Sequence, residues 1–397
     1  MKRKSNISEY LKQKQSVLVL GPRGTGKTWY LNQLLDEFNR KLKIDLLSDE
    51  EYLRYASRPD DLYREIGFKL KTEPDLVVFI DEIQRLPVLL NEVQRLMSDF
   101  PGRCQFVLTG SSARKLRKSQ ANLLAGRALY TQFFPLNGSE IPFADELPRA
   151  LQFGTLPAAW LAPSSEIASS YLRTYTQVYL KEEIIHEAVS RNIQVFSRFL
   201  DLAAAANGQP VNYLGIARQT GTSDKTIRSH YQILEDTLLA ACIPAWSASI
   251  RTRLQRSPKY YFFDTGLLNA LTGELRSELR EGTYRFGRLF ESLVVNEIIR
   301  YNVLHGLGWS ISHYRTQSGS EIDLILQRTH SSPPVAVEIK SSARPVIAEL
   351  RALRDLGAEI SGARLVVICR CRSPWEEGGI EFLPFPEGLS EVFREKG

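Results

Sequence analysis

Two rhythms of apolar and polar residues divide this chain. Ser16–Leu20 (SVLVL), residues 76–82 (LVVFIDE) and residues 104–108 are short apolar runs, as expected for strands covered on both faces of a parallel sheet. After the first run, from about Lys27, Trp29, Leu31, Leu34, Leu35 and Phe38 recur at helical spacing. Strand, turn and helix in that order predict an α/β core at the N-terminal end. Pro135-Leu136-Asn137-Gly138 and Pro163-Ser164-Ser165 then punctuate the chain, and a mostly helical connector is expected to reach about Glu187. Its Tyr171, Tyr175 and Tyr179 are four residues apart, so they share a helix face as packing residues.

Residues 195–261 carry a different pattern. Phe196, Phe199, Leu200 and residues 202–206 predict a first helix, residues 214–218 a second, and Thr220-Gly221-Thr222 a tight turn. Ser223 is placed to cap a third helix, with Ile227, Tyr231 and Leu234 inward and Lys225, Arg228, Ser229 and Gln232 outward. Strand signal around 241–246 and a basic loop at 250–259, with Arg251, Arg253 and Arg256, complete the outline of a winged helix. These cations suit DNA contact, and the same pattern also suits a module that packs on protein. Farther on, residues 288–300 read as a helix carrying Glu291. Residues 319–326 and 335–341 alternate as strands, with Glu321 and Asp323 on one face and Glu338 and Lys340 on one face of the neighbour.

Composition bounds this picture without choosing a function. A chain of 397 residues, 43% hydrophobic and 24% charged, has the balance of a globular protein with two or three cores. No repeat or low-complexity tract is present, no apolar run is long enough to span a bilayer, and MKRKSNISEY lacks the apolar stretch of a signal peptide. A cytoplasmic protein without membrane contact is expected. Cys104, Cys242, Cys369 and Cys371 have no zinc spacing and read as buried reduced thiols. The net charge of +6 permits an anionic partner without requiring one.

The strongest chemistry lies at residues 21–28, GPRGTGKT, between the first strand and its helix. Gly21, Gly24, Thr25 and Gly26 let backbone N–H groups wrap the phosphates of ATP at a helix N-terminus. Lys27 is expected at the β- and γ-phosphates, and Thr28 at Mg²⁺. The second apolar run ends in Asp81, for the Mg²⁺ shell, and Glu82, to activate the attacking water. At the tip of the third strand, Thr109 or Ser111 is placed to sense the γ-phosphate, or to cap a helix. Arg127 fits an arginine finger acting on a neighbouring subunit, a sensor in its own subunit, or a surface cation. In the C-terminal segment, Glu291, Asp323 and Glu338 with Lys340 form a hard-cation set of the kind used to cut phosphodiesters.

The runs FIDEIQRLP (79–87), LTGSSARKLR (108–117), NLLAGRALYTQFFPL (122–136) and KYYFFDTGLLNAL (259–271) give the chain a specific resemblance. It is similar to a widespread bacterial and archaeal family of AAA-type ATPases fused to a C-terminal domain of formerly unknown function. The resemblance covers nearly the whole chain. It implies an AAA+ core followed by a domain like the PD-(D/E)XK nucleases, and links some relatives to DNA, branched junctions included. Here Ile322, not the proline of that motif, precedes Asp323. The expected fold class is α/β: an AAA+ P-loop core at 1–140, a connector at 141–190, a winged helix at 191–278 and a PD-(D/E)XK-like domain at 279–397. Three functions follow as expectations: a homo-oligomeric ATPase that remodels DNA, an ATP-gated metal-dependent nuclease, and a nucleotide switch for protein partners.

Overall fold

The computed structural model of the chain describes residues 3–72, 75–112, 114, 124, 126–179, 193–246, 257–315, 321–329, 331–359 and 362–394. It divides into Met1–Pro135 with Asp236–Leu239, and Leu136–Glu235 with Ala240–Gly397.

The first unit is built on β1 (Ser16–Leu20), β2 (Lys41–Asp45), β3 (Leu76–Asp81), β4 (Cys104–Gly110) and β5 (Ala128–Gln132). All pair in parallel, in the order β2-β3-β4-β1-β5. Helices α1 (Ile7–Lys12), α2 (Lys27–Leu35), α3 (Asp49–Ser57), α4 (Asp60–Thr72) and α5 (Leu89–Asp99) accompany it. The two-residue period of a strand sorts the core onto two faces. Val17, Val19, Val77, Phe79 and Val107 pack with Ile7 and Leu11 of α1 and Leu31, Leu34 and Leu35 of α2. Leu18, Leu20, Val78, Ile80 and Leu108 pack with Leu62 and Ile66 of α4 and Val93 and Leu96 of α5. Trp29 stays outside this core, 49% exposed. It precedes Leu31 by two residues, about 200° around the helix, and so faces away from the sheet.

The second unit begins with α6 (Phe143–Phe153), α7 (Pro157–Trp160) and α8 (Ser165–Thr174), which opens into a π-helical turn at Tyr175–Tyr179. Tyr175 is buried, with its ring 6.2 Å from that of Tyr171. The side chain of Tyr179, expected on the same face, lies outside the described residues. Next come α9 (Ile193–Ala205), α10 (Tyr213–Thr220) and α11 (Asp224–Asp236), then the antiparallel ribbon of β6 (Ala240–Ile243) and β7 (Lys259–Phe262). Gly221 ends α10 in the left-handed conformation, and Ser223 Oγ accepts the Thr226 N–H at the start of α11. An aromatic cluster fills the space between these elements. Phe199 stands edge-on to Tyr231 at 4.9 Å, and Tyr231 lies 4.4 Å from Tyr260.

Helices α12 (Thr265–Leu271) and α13 (Tyr284–Leu304) lead into a sheet of β8 (Ser310–Arg315), β9 (Glu321–Gln327), β10 (Val335–Ile339), β11 (Arg364–Cys369), β12 (Trp375–Glu377) and β13 (Ile380–Pro384). Helices α14 (Arg351–Glu359) and α15 (Leu389–Val392) complete the element order. The strand order is β12-β13-β11-β10-β9-β8. Strands β8, β9 and β10 form an antiparallel meander, α14 crosses over, and β11 runs parallel to β10. Ile322 and Ile325 of β9 both pack with Leu353 of α14, an odd separation that goes with the register shift against β8 between Ser312 and Tyr314. Of the cysteines, all free, Cys104 and Cys369 are buried, while Cys242 and Cys371 are half-buried rather than enclosed as expected. No described helix is long and apolar enough to cross a membrane.

Candidate nucleotide site and acidic cluster

The phosphate loop hangs between β1 and α2. Gly24 and Gly26 have φ of 77° and 86°, which an L side chain resists, and this turns successive N–H groups toward one concavity. Arg3 pins the loop from behind, donating to the Thr25 carbonyl at 2.8 Å and the Phe134 carbonyl at 2.7 Å while lying over the Phe133 ring. Lys27 is buried, its Nζ donating to the carbonyls of Gly21 at 2.6 Å and Pro22 at 2.9 Å. Those bonds fix the ammonium at the loop. Thr28 Oγ1 donates to Asp81 Oδ2 at 2.9 Å. A hydroxyl and a carboxylate side by side are a donor pair that fits Mg²⁺.

The order of the sheet sets the rest. Because β4 lies between β1 and β3, its tip reaches the carboxylates that end β3. Thr109 Oγ1 donates a short hydrogen bond to Asp81 Oδ1 and accepts the Glu82 N–H at 3.2 Å. Thr109 therefore positions Asp81, and Ser111 is the residue beside Glu82: its Oγ is 3.5 Å from Glu82 Oε2. Gln84 links them, its Nε2 donating to Glu82 Oε2 through a short bond and to Ser111 Oγ at 2.9 Å. Gly110 makes room, since a Cβ there would stand 2.5 Å from Gln84 Oε1. Glu82 itself lies in the left-handed region, φ 56° and ψ 45°. Burial pushes its carboxyl above the usual range. Lys27, Gln84 and Arg23 pull it back, and Asp81 adds to the rise. Such a carboxylate is better matched to taking a proton near neutrality than an exposed one.

Gln84 and Arg23 are members of this site that the motif reading missed. Each had a visible signal: a polar residue two positions after Glu82, and a cation inside the glycine loop. Arg127 is exposed in the turn before β5.

The C-terminal carboxylates do come near one another, together with lysines. Asp323 Oδ2 accepts the Ile339 N–H at 2.8 Å, and Lys340 pairs with Glu338 at 2.8 Å. Tyr261 of β7 donates to Glu291 Oε1 at 2.7 Å, and Lys259 of β7 forms a short ion pair with Glu321. Burial raises Glu291 to about 7, with Asp323 adding and Lys259 opposing. Burial also raises Glu338 to about 7, again with Asp323 adding, while Lys340 opposes. Among the described residues no three His, Cys, Asp or Glu side chains are grouped to hold a metal ion. Lys259, expected at the end of a basic loop, instead opens β7, where it is buried and shares a strand face with Tyr261. On the three-helix unit, Lys225 and Arg228 are exposed as expected, with Arg228 over the Tyr213 ring and 3.7 Å from Asp224. Arg251, Arg253 and Arg256 lie outside the described residues.

Comparison with known proteins agrees with this layout. Residues 13–142 match the model of an AAA domain, and residues 286–387 that of a domain of unknown function, DUF4143. The chain joins an AAA domain to a DUF4143 domain. Between them, residues 144–278 match a further domain of unknown function, DUF8612. The chain is similar to uncharacterized proteins of Mycobacterium tuberculosis and Mycobacterium bovis, each 27% identical over 353 residues, covering 89% of this chain and 76% of the relative. An uncharacterized protein of Methanocaldococcus jannaschii is 24% identical, covering 71% of this chain and 66% of its own. Among solved structures, a Walker-type ATPase of Pyrococcus abyssi is similar at 15% identity and a TM-score of 0.44, covering 66% of this chain and 94% of that one. The phosphate-loop and strand-tip contacts described above lie within the AAA domain, apart from those of Arg3. Glu291, Glu321, Asp323, Glu338 and Lys340 lie within the DUF4143 domain, and Tyr261 and Lys259 of the DUF8612 segment bond Glu291 and Glu321.

Proposed function

We propose that this protein hydrolyses ATP to change its grip on DNA. The observation that carries the first half is the connected set Thr28–Asp81–Thr109 and Glu82–Gln84–Ser111 beside the Lys27 loop. In it Lys27 binds the β- and γ-phosphates, and Thr28 and Asp81 hold Mg²⁺, which would neutralise charge on the phosphates. Glu82, held by Gln84, takes the proton of the attacking water. Arg127 acts on the nucleotide of a neighbouring copy in a homo-oligomer.

The DNA half rests on the second unit. Three helices followed by an antiparallel ribbon support a winged-helix reading, with Lys225, Arg228, Ser229 and Gln232 exposed on α11. Helix α13, the β8-β9-β10 meander and the crossover to β11 support a PD-(D/E)XK-like core. ATP turnover by the full chain with duplex, single-stranded and four-way-junction DNA tests the proposal. Stimulation by one form, weakened in a Lys225→Ala/Arg228→Ala variant, is expected. Turnover indifferent to every DNA would overturn the DNA half and favour a switch for protein partners.

A further inference from the structure

The acidic cluster of the C-terminal domain has a cation in it already. Lys259 belongs to β7, which precedes that domain in sequence, and its side chain is 1% exposed. Its backbone is fixed from both sides. β6 pairs with it along one edge, Pro210 bridges to Lys259, and the Val211 and Gly208 N–H groups donate to the Pro258 and Tyr260 carbonyls. Residues two apart on a strand share a face, so Lys259 and Tyr261 both address the cluster: the ammonium pairs with Glu321, the phenol donates to Glu291. Burial works against the charge on Lys259, but Glu291, Asp323 and Glu321 outweigh it, and its pKa ends above the ordinary value. A second ammonium, Lys340, pairs with Glu338, and Asp323 is tied to the Ile339 N–H.

We propose that Lys259 is the resident cation of this cluster, standing in for the divalent ion that a nuclease-like domain would hold, so that the domain is closed to metal. A divalent ion would need these oxygens as direct ligands at about 2.0–2.6 Å. It would have to displace the donors that now hold them, Tyr261 on Glu291, the Ile339 N–H on Asp323 and Lys340 on Glu338, beside the positive charge of an ammonium that β7 holds on Glu321. A buried ion pair of this kind fixes which elements meet more than it adds to stability. Here it ties β7 to β9, while the Tyr261 phenol ties β7 to α13. The inference is independent of ATP hydrolysis, and it implies that the second unit grips without cutting.

Mn²⁺ titration of the full chain without nucleotide, followed by electron paramagnetic resonance in an Asp81→Asn background, tests it. With Lys259 intact, no Mn²⁺ bound through Asp323 is expected, so adding Asp323→Asn should change nothing. In Lys259→Met, one Mn²⁺ per chain should bind and be lost again on adding Asp323→Asn. Stoichiometric Mn²⁺ that requires Asp323 while Lys259 is present would overturn the proposal, as would a folded Lys259→Met chain that binds none. The first comparison needs no Lys259 variant, so it decides the matter even if Lys259→Met does not fold.

Discussion

At Glu82 the backbone turns left-handed and the side chain folds under Gln84, whose amide spans the gap to Ser111. The strain of that turn is tolerated because it aims the carboxylate along the strand tips. Replacing Glu82 with Gln should leave nucleotide affinity intact and lower turnover by on the order of 10²–10⁴-fold, the usual share of a general base. Gln84→Leu keeps the shape and removes the donor. Turnover should fall about tenfold to a hundredfold, as expected for a misplaced catalytic group, with the Kd for a non-hydrolysable ATP analogue unchanged. A loss of affinity equal to the loss of turnover would assign Gln84 to nucleotide binding instead.

Among the elements, legibility in the sequence followed burial. Strands β1, β3 and β4 are covered on both faces and read as unbroken apolar runs. The edge strands β2 and β5 do not, because Lys41, Lys43, Leu129 and Tyr130 face partly or wholly outward. The same logic separates the sites. The glycine loop and Asp81-Glu82 are contiguous and so visible, whereas the Gln84–Ser111 link and the Lys259–Glu321 pair join residues far apart in the chain. In the three-helix unit, aromatic packing predicts a measurable core: Phe199→Ala should cost about 3–5 kcal/mol in chemical denaturation. Burial lowers His230 to about 4 from the ordinary 6.5 of a histidine. The unfolded chain therefore binds its proton more readily between those values, and stability should fall as pH drops from about 6.5 to about 4. In His230→Phe that slope should be shallower in melting-temperature profiles. An unchanged slope would mean the ring is not held neutral.

For the whole molecule, the proposals join ATP turnover in the AAA domain to a C-terminal domain that does not cut. If Arg127 completes a neighbour's site, mixing Arg127→Ala with Glu82→Gln should restore part of the turnover that each lacks alone. A mixture no better than its parts would dismiss a finger in trans. The proposed change of grip on DNA depends on hydrolysis in the first unit. Steady-state ATP turnover by the full chain with Mg²⁺, measured beside Lys27→Ala and Glu82→Gln, tests that dependence most directly. Turnover by the native chain, bound but uncleaved ATP in Glu82→Gln, and no bound ATP in Lys27→Ala are the expected results. Native-like turnover in Glu82→Gln, or none in the native chain with any DNA, would contradict it.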